Sequence, residues 1–413
     1  MSASDRFHAV YDEGFYSGGW DFTVRSLLGK THRRGADPGE VLATISTLDE
    51  GDGDAWFLAW KSLGERLARE AHASRAAGHR VSASTASLRA ANYYAVCVSS
   101  IDGFSDPSAL LPVFREHRDA WDNFVRTTAW FCEEVDIPYE NMSLPGWFFA
   151  PDASGAQRPT LVMNNGSDGS ISGLWCEGAE AALERGYNVL MFDGPGQQSM
   201  LFEHGVPFRH DWEAVLTPVL DFLVQRPEVD GDALALYGVS QAGYWVPRAL
   251  AFEHRFRAAI ADGGVVDVSR AWFRHIPDEL LALYRSGDAE AFDRAIEQGA
   301  SADPHAEEAA QLWAFRARPY GTQGYWQTLN EVSSYVITAE LAQNITTPLY
   351  ITDCDKEQFY PGQPPELAAL VPGSTLEPFR ASEGASYHCQ PMARALTEER
   401  MFNWLDRLLA VSA

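Results

Sequence analysis

Residues 234–243, Leu-Ala-Leu-Tyr-Gly-Val-Ser-Gln-Ala-Gly, leave this chain few ways to fold. An apolar run climbs to Gly238, the chain turns at Ser240, and residues 244–252 read as a helix. Small residues stand two before and two after the serine, Gly238 and Ala242, and Gly243 follows. A strand and a helix joined by so tight a turn pass closely, and larger side chains there would hold them apart. Such a turn strains the serine backbone and lifts its hydroxyl above the sheet, near a helix N-terminus. A serine merely capping a strand-to-helix turn is the plainer alternative. The flanking strand and helix favour a nucleophile.

Around this turn, strands and helices alternate from about residue 136 onward. Residues 137–140 and 144–150 read as a hairpin. Residues 160–164, 187–192, 233–237, 258–260, 347–352 and 374–379 read as strands. Helices are expected at 175–185, 212–225, 244–252 and 396–411. This alternation predicts a mostly parallel sheet covered on both faces. The first 135 residues carry no strand pattern. Apolar residues recur there at three- and four-residue steps, most clearly Trp56, Trp60, Leu63, Leu67 and Ala71 in a helix expected over 54–77. Asp52 or Asp54 can cap that helix and Gly78 can end it. Further helices are expected over 84–101 and 106–134. Residues 269–341 interrupt the alternation with helical, aromatic-rich sequence too long for a plain connection. They are expected to form a lid. Its aromatic residues, Trp272, Phe273, Trp313, Phe315, Tyr320, Tyr325 and Trp326, would suit a flat apolar ligand or simply pack together. The predicted division is a helical cap module over 1–135, core over 136–268, lid insertion over 269–341 and core again over 342–413.

Composition narrows the partners. With 413 residues and 46% hydrophobic content, a large core is available. The balance of 57 acidic against 32 basic residues disfavours nucleic acid and anionic membranes. No apolar run approaches membrane-spanning length, and residues 1–6 do not begin a signal peptide. The five cysteines are scattered, without a metal or redox spacing. These features point to a cytoplasmic protein with a small-molecule ligand. No phosphate loop, His-Glu-x-x-His or zinc cluster is present, so neither a cofactor nor a metal is expected.

A serine hydroxyl needs a histidine base, and the histidine needs a carboxylate to orient it. After a nucleophile of this kind the chain order is serine, acid, histidine. His388 follows the last strand and precedes the closing helix, where the base belongs. The acid should lie after the strand at 347–352, where Asp353, Asp355 and Glu357 stand. Asp353 is too close to the strand. Spacing favours Glu357, with Asp355 as the alternative. Asp262 or Asp267 could serve as a displaced acid, and most of these carboxylates must be ordinary loop charges. Backbone N–H donors for an oxyanion are expected from Gln241 and from the loop after residues 160–164, at Gly166 and Ser167. The Asp193-Gly-Pro-Gly-Gln turn reads as structural, shaping the site floor.

Several stretches together resemble a known family. They are Ser82-Ala83 with Leu88-Arg-Ala-Ala-Asn-Tyr-Tyr94, Phe192-Asp-Gly-Pro-Gly-Gln197, Arg209-His-Asp-Trp-Glu213 with Thr217-Pro218, Gly238-Val-Ser-Gln-Ala-Gly243, Phe359-Tyr-Pro-Gly-Gln363, and Glu383-Gly384 through His388-Cys-Gln390. The set resembles the α/β-hydrolase group of dihydroxypseudooxynicotine hydrolase, the FrsA-like proteins and the fungal hydrolases that shorten polyketide chains. It spans most of the chain, including the helical N-terminus. The resemblance implies the α/β-hydrolase fold, a cap partly built by the N-terminal region, a Ser/acid/His triad and a homodimer. By residue match it assigns Ser240 and His388. The family's aspartate falls on Glu357, a departure. Members cleave carbon–carbon bonds of β-dicarbonyl compounds, or esters. The expected activity is therefore a serine hydrolase cleaving a carbon–carbon bond in an aromatic or polyketide-like substrate. The alternatives are an esterase or thioesterase, or a non-hydrolytic cyclase, lyase or acyltransferase of polyketide biosynthesis with the same triad.

Overall fold

Apolar stripes drive the first helices together. In this computed structural model, which describes residues 11–274, 276–300 and 306–409, they are α1 (Gly19–Lys30), α2 (Pro38–Ile45), α3 (Gly53–Ala76), α4 (Arg80–Ser99) and α5 (Leu110–Thr127). Asp52 caps α3 by accepting the Ala55 N–H, satisfying one otherwise orphaned donor. The whole stripe Trp56, Trp60, Leu63, Leu67 and Ala71 is buried. Burying a large apolar side chain contributes roughly 1.5–3 kcal/mol. Helix α4 packs against both α3 and α5. Its small residues Ala83, Ala86, Ala90 and Ala91 are buried where those neighbours approach.

The helix expected to reach residue 134 ends instead at Thr127, and a strand, β1 (Phe131–Tyr139), follows. The reason is a change of period. Val135, Ile137 and Tyr139 are buried while Asp136 and Pro138 between them are exposed, the two-residue repeat of a strand. β1 pairs antiparallel with β2 (Met142–Ala150), Phe131 opposite Ala150. The expected boundary at residue 135 therefore falls inside a strand.

Six more strands follow: β3 (Arg158–Asn164), β4 (Asn188–Phe192), β5 (Val229–Val239), β6 (Ala258–Asp262), β7 (Leu349–Cys354) and β8 (Thr375–Phe379). The sheet order is β1-β2-β4-β3-β5-β6-β7-β8. β1, β2 and β4 pair antiparallel, and the remaining pairs are parallel. Alternate residues serve opposite cores: Leu161, Met163, Ala235 and Tyr237 face one, Val162, Leu234 and Leu236 the other. The first core also holds Trp56, Trp60 and Trp121, so the N-terminal helices share one apolar cluster with that sheet face.

Between β6 and β7 lie helices Ser269–Phe273, Asp278–Arg285, Ala289–Ala300, Ala306–Ala317, Gly324–Val332 and Ala339–Ala342. From this stretch the buried Tyr320, Val332 and Tyr335 join the core on the opposite face. The helix expected over 175–185 is interrupted. Ile171–Leu174 is α-helical, Trp175–Ala179 is a π-helical turn with Gly178 at φ 149, and Glu180–Glu184 is α-helical again.

Candidate active site

β5 delivers Ser240 to the carboxyl edge of the sheet, and helix Ala242–Leu250 leaves from it. Ser240 has φ 58, a left-handed backbone that is strained for a residue with a Cβ. Its N–H donates to the Asp262 carbonyl at 2.8 Å. The small neighbours are obligatory. A Cβ on Gly243 would lie 1.7 Å from the Gly263 carbonyl oxygen, and one on Gly238 would lie 2.8 Å from that of Ala242.

His388 and Glu357 meet this serine. His388 Nε2 lies 2.9 Å from Ser240 Oγ, and His388 Nδ1 lies 2.8 Å from Glu357 Oε2. The other Glu357 oxygen accepts the N–H groups of Phe359 and Tyr360 at 2.9 and 3.1 Å, which aims the carboxylate. The His388 N–H is held by Gln358 Oε1 at 3.0 Å. Burial opposes the charged form of Glu357, but His388 and the two backbone donors outweigh it and hold the carboxyl below its ordinary value. Burial likewise lowers the basicity of His388, and the Glu357 charge outweighs it, so the imidazole is raised above 6.5. A carboxylate on Nδ1 leaves Nε2 free to accept the serine proton.

The other carboxylates have other partners. Asp355 pairs with Arg380 and accepts the Ala381 N–H at 3.1 Å. Asp267 caps Ser269. Asp262 is fully buried and receives Thr352 Oγ1, Tyr237 Oη, Gln390 Nε2 and Arg394 Nη1 at 2.8, 2.7, 3.0 and 3.2 Å. Arg394 also donates to the Cys389 carbonyl at 2.9 Å. Cys389 and Gln390 are both left-handed, at φ 54 and 45. This buried Asp262–Arg394 cluster therefore ties down the strained loop that carries His388. No spacing rule marks it.

The loop after β3 passes directly over Ser240. A Cβ on Gly166 would stand 2.8 Å from the Ser240 Cβ. The Gly166 N–H, however, is taken by Asn165 Oδ1 at 3.0 Å, which counts against the expectation for Gly166 as an oxyanion donor. The Gln241 N–H precedes the helix and so has no acceptor within it. Ser167 stands at the loop's half-buried tip. Gln197 Nε2 holds the loop by donating to the Asn165 and Gly166 carbonyls at 2.7 and 3.0 Å. The Asp193–Gln197 turn thus supports the loop after β3.

A cavity of about 190 Å³ opens beside Ser240 and His388. Helices α1 and α4 supply one wall, through residues such as Phe22, Ser26, Lys30 and Asn92. None of the seven aromatic residues expected to receive a flat ligand lines it. Trp272 instead stacks edge-on with Trp313 and Tyr320, at 5.1 and 5.6 Å between centroids. Tyr320 approaches the turn, its Oη 3.4 Å from Gln241 Oε1. Among the described residues no three His, Cys, Asp or Glu side chains gather to hold a metal ion.

No family model matches the chain. Among curated proteins, the hydrolase LUC6 of a Fusarium species is 28% identical over 425 residues, covering 98% of this chain and 99% of that protein. The 20-hydroxy-prefusarin hydrolase FUS2 of Gibberella moniliformis is 31% identical over 288 residues, 68% of each chain. Among solved structures, 2,6-dihydroxy-pseudo-oxynicotine hydrolase superposes with a TM-score of 0.71 at 20% identity, covering 92% of this chain and 95% of that one. AbyA5 superposes with a TM-score of 0.59 at 18% identity, covering 89% and 93%. At such identities the two structures bear on the fold alone.

Proposed function

The chain belongs to the α/β-hydrolase family and is a hydrolase, and we propose that it works through a Ser240–His388–Glu357 triad on a β-dicarbonyl, polyketide-like substrate. The observation that carries the reading is the continuous bonded path from carboxylate to imidazole to hydroxyl, at 2.8 and 2.9 Å. The relatives named as fungal hydrolases, one of them acting on 20-hydroxy-prefusarin by its name, support a substrate of that kind.

In this reading Ser240 Oγ adds to one carbonyl while its proton passes to His388 Nε2. Glu357 stabilises the imidazolium. The N–H groups of Gln241 and Ser167 hold the new oxyanion. The carbon–carbon bond then breaks, and its electron pair leaves as the enolate of the second carbonyl. That enolate takes the proton from His388 and departs as a ketone. Water, deprotonated by His388, attacks the acyl-serine and releases a carboxylic acid and free Ser240. A β-dicarbonyl is required because an unstabilised carbanion could not leave.

We further place residues 269–341 as an insertion that braces the turn through Tyr320, with the cap formed by the N-terminal helices. Among the described residues no helix is long and apolar enough to cross a membrane. A cytoplasmic setting and a homodimer complete the proposal, and sedimentation of the purified protein tests the dimer. The chemical test uses an aryl β-diketone, aryl esters and a fluorophosphonate probe. The probe should label Ser240, and diketone cleavage in ¹⁸O-water should label the acid product. Fast ester turnover with the diketone untouched would replace the carbon–carbon reading with an esterase. An unlabelled product would make the enzyme non-hydrolytic.

A further inference from the structure

The cavity beside Ser240 has a second, polar end. Helix α1 runs along its wall and presents Phe22, Ser26 and Lys30, each one turn beyond the last. Phe22 stands against the His388 ring, 6.5 Å between centroids. Lys30 lies two turns further, roughly 12 Å along the helix axis. One end of this wall therefore faces the triad and the other faces an ammonium.

Polar groups at the cavity have no protein partner. Among the described residues the Lys30 ammonium makes no hydrogen bond or ion pair, although the residue is half-buried. The Glu177 carboxyl makes none either, and it too lines the cavity. The π-helical turn Trp175–Ala179 carries it there. Such turns shift side chains out of helical register and recur at functional sites. Gln198 is a third case. It is only 5% exposed, its backbone is left-handed at φ 38, and its Oε1 is buried without a partner. It lines the same cavity.

The charges fix what would bind. Arg394 also lines the cavity, but it is paired with Asp262 at 3.2 Å. Asp168 lies on the cavity rim, exposed and bonded to Ser167 Oγ at 3.1 Å. Burial pushes the Glu177 carboxyl up, against the pull of Lys30 and Arg394. A half-buried ammonium with no ion pair in contact is costly, and an anionic oxygen would offset that cost. The chain's net charge of −25 repels anions at long range, so any such recognition must be local.

We propose that Lys30 forms a subsite on the cavity wall for an anionic oxygen at the substrate end remote from the scissile carbonyl. The chemical class is a carboxylate or stabilised enolate carried on an extended chain. The proposal deepens the hydrolase reading and rests on Ser240 as the nucleophile.

Two p-nitrophenyl esters of equal length test it: the mono-ester of sebacic acid, which ends in a carboxylate, and the decanoate, which ends in methyl. The wild-type enzyme should prefer the carboxylate ester. Lys30→Gln, close to isosteric, should lower the ratio of the two kcat/KM values by about tenfold, through KM. Lys30→Arg should keep most of the preference. Glu177→Ala, which removes a carboxyl that competes for Lys30, should not lower the ratio. An unchanged ratio in Lys30→Gln overturns the proposal. If neither ester is cleaved and a fluorophosphonate leaves Ser240 unlabelled, the hydrolase reading fails separately. Calorimetry with sebacate then decides the subsite: Ser240→Ala should bind it and Ser240→Ala/Lys30→Gln should not. Equal binding, or none to either, overturns it.

Discussion

Ser240, His388 and Glu357 each depend on one or two neighbours for their state. Replacing Ser240 by alanine should abolish fluorophosphonate labelling and lower kcat by at least about 10³-fold. Glu357→Gln removes the charge that raises His388 and leaves the burial that lowers it. The rising limb of kcat/KM against pH should lie above 6.5 in the wild type and move to lower pH in Glu357→Gln. The plateau should fall by about 10³–10⁴-fold, because the imidazole loses its preferred tautomer. The same pair contributes to stability. Glu357 is depressed, so its share is present above 4.5 and is lost as pH falls through its folded value. His388 is raised, so its share is present below 6.5 and is lost as pH rises through its folded value. Thermal melting against pH should therefore show the wild type gaining most over Glu357→Gln between 4.5 and 6.5. Chain order alone leaves Glu357 and Asp355 both in reach of a loop histidine. Arg380 draws Asp355 aside, and the Phe359 and Tyr360 N–H groups turn Glu357 inward. Neither contact has a signature in spacing.

The strand–turn–helix around Ser240 is stiff because backbone meets backbone there. Gly243→Ala would drive a methyl group into the Gly263 carbonyl, which has no rotamer to yield. The expected result is a loss of about 3 kcal/mol or more, read as a lower denaturant midpoint with unchanged slope. The loop carrying His388 is held differently, by the buried Asp262–Arg394 pair. Arg394→Met leaves the Asp262 carboxylate buried with one fewer partner and should cost about 3–5 kcal/mol. Activity should fall further than the folded fraction accounts for, because residues 388–390 lose their anchor. Circular dichroism and kcat measured on the same samples separate the two effects. The elbow was readable because small residues at fixed steps have one steric meaning. The anchor was not, because Asp262 and Arg394 are 132 positions apart and meet only through the sheet.

At the scale of the molecule, the N-terminal helices are inseparable from the hydrolase core. Trp121 and Trp175 lie 6.2 Å apart, one from α5 and one from the π-helical turn, in a cluster that continues to the sheet. Trp121→Ala should cost about 3–5 kcal/mol. Heating should then show the loss of near-ultraviolet signal and of activity in the same transition, shifted down together. A cap that unfolded by itself would instead separate them.

Residue order, apolar period and the small residues around Ser240 were enough to determine a mostly parallel sheet, the serine at its turn and a histidine after the last strand. Those features are local, and local sterics and alternation record them directly. The end of the helix before β1 and the wall of the cavity were decided only by tertiary packing, which also joined His388 to Glu357, the residue that spacing favoured, rather than to Asp355. The aromatic insertion looked like the ligand's roof, yet Tyr320 and Trp272 join the opposite core, and α1 and α4 line the cavity instead. Which surfaces meet across a folded sheet depends on the free energy of the whole packing, and no segment carries that information alone.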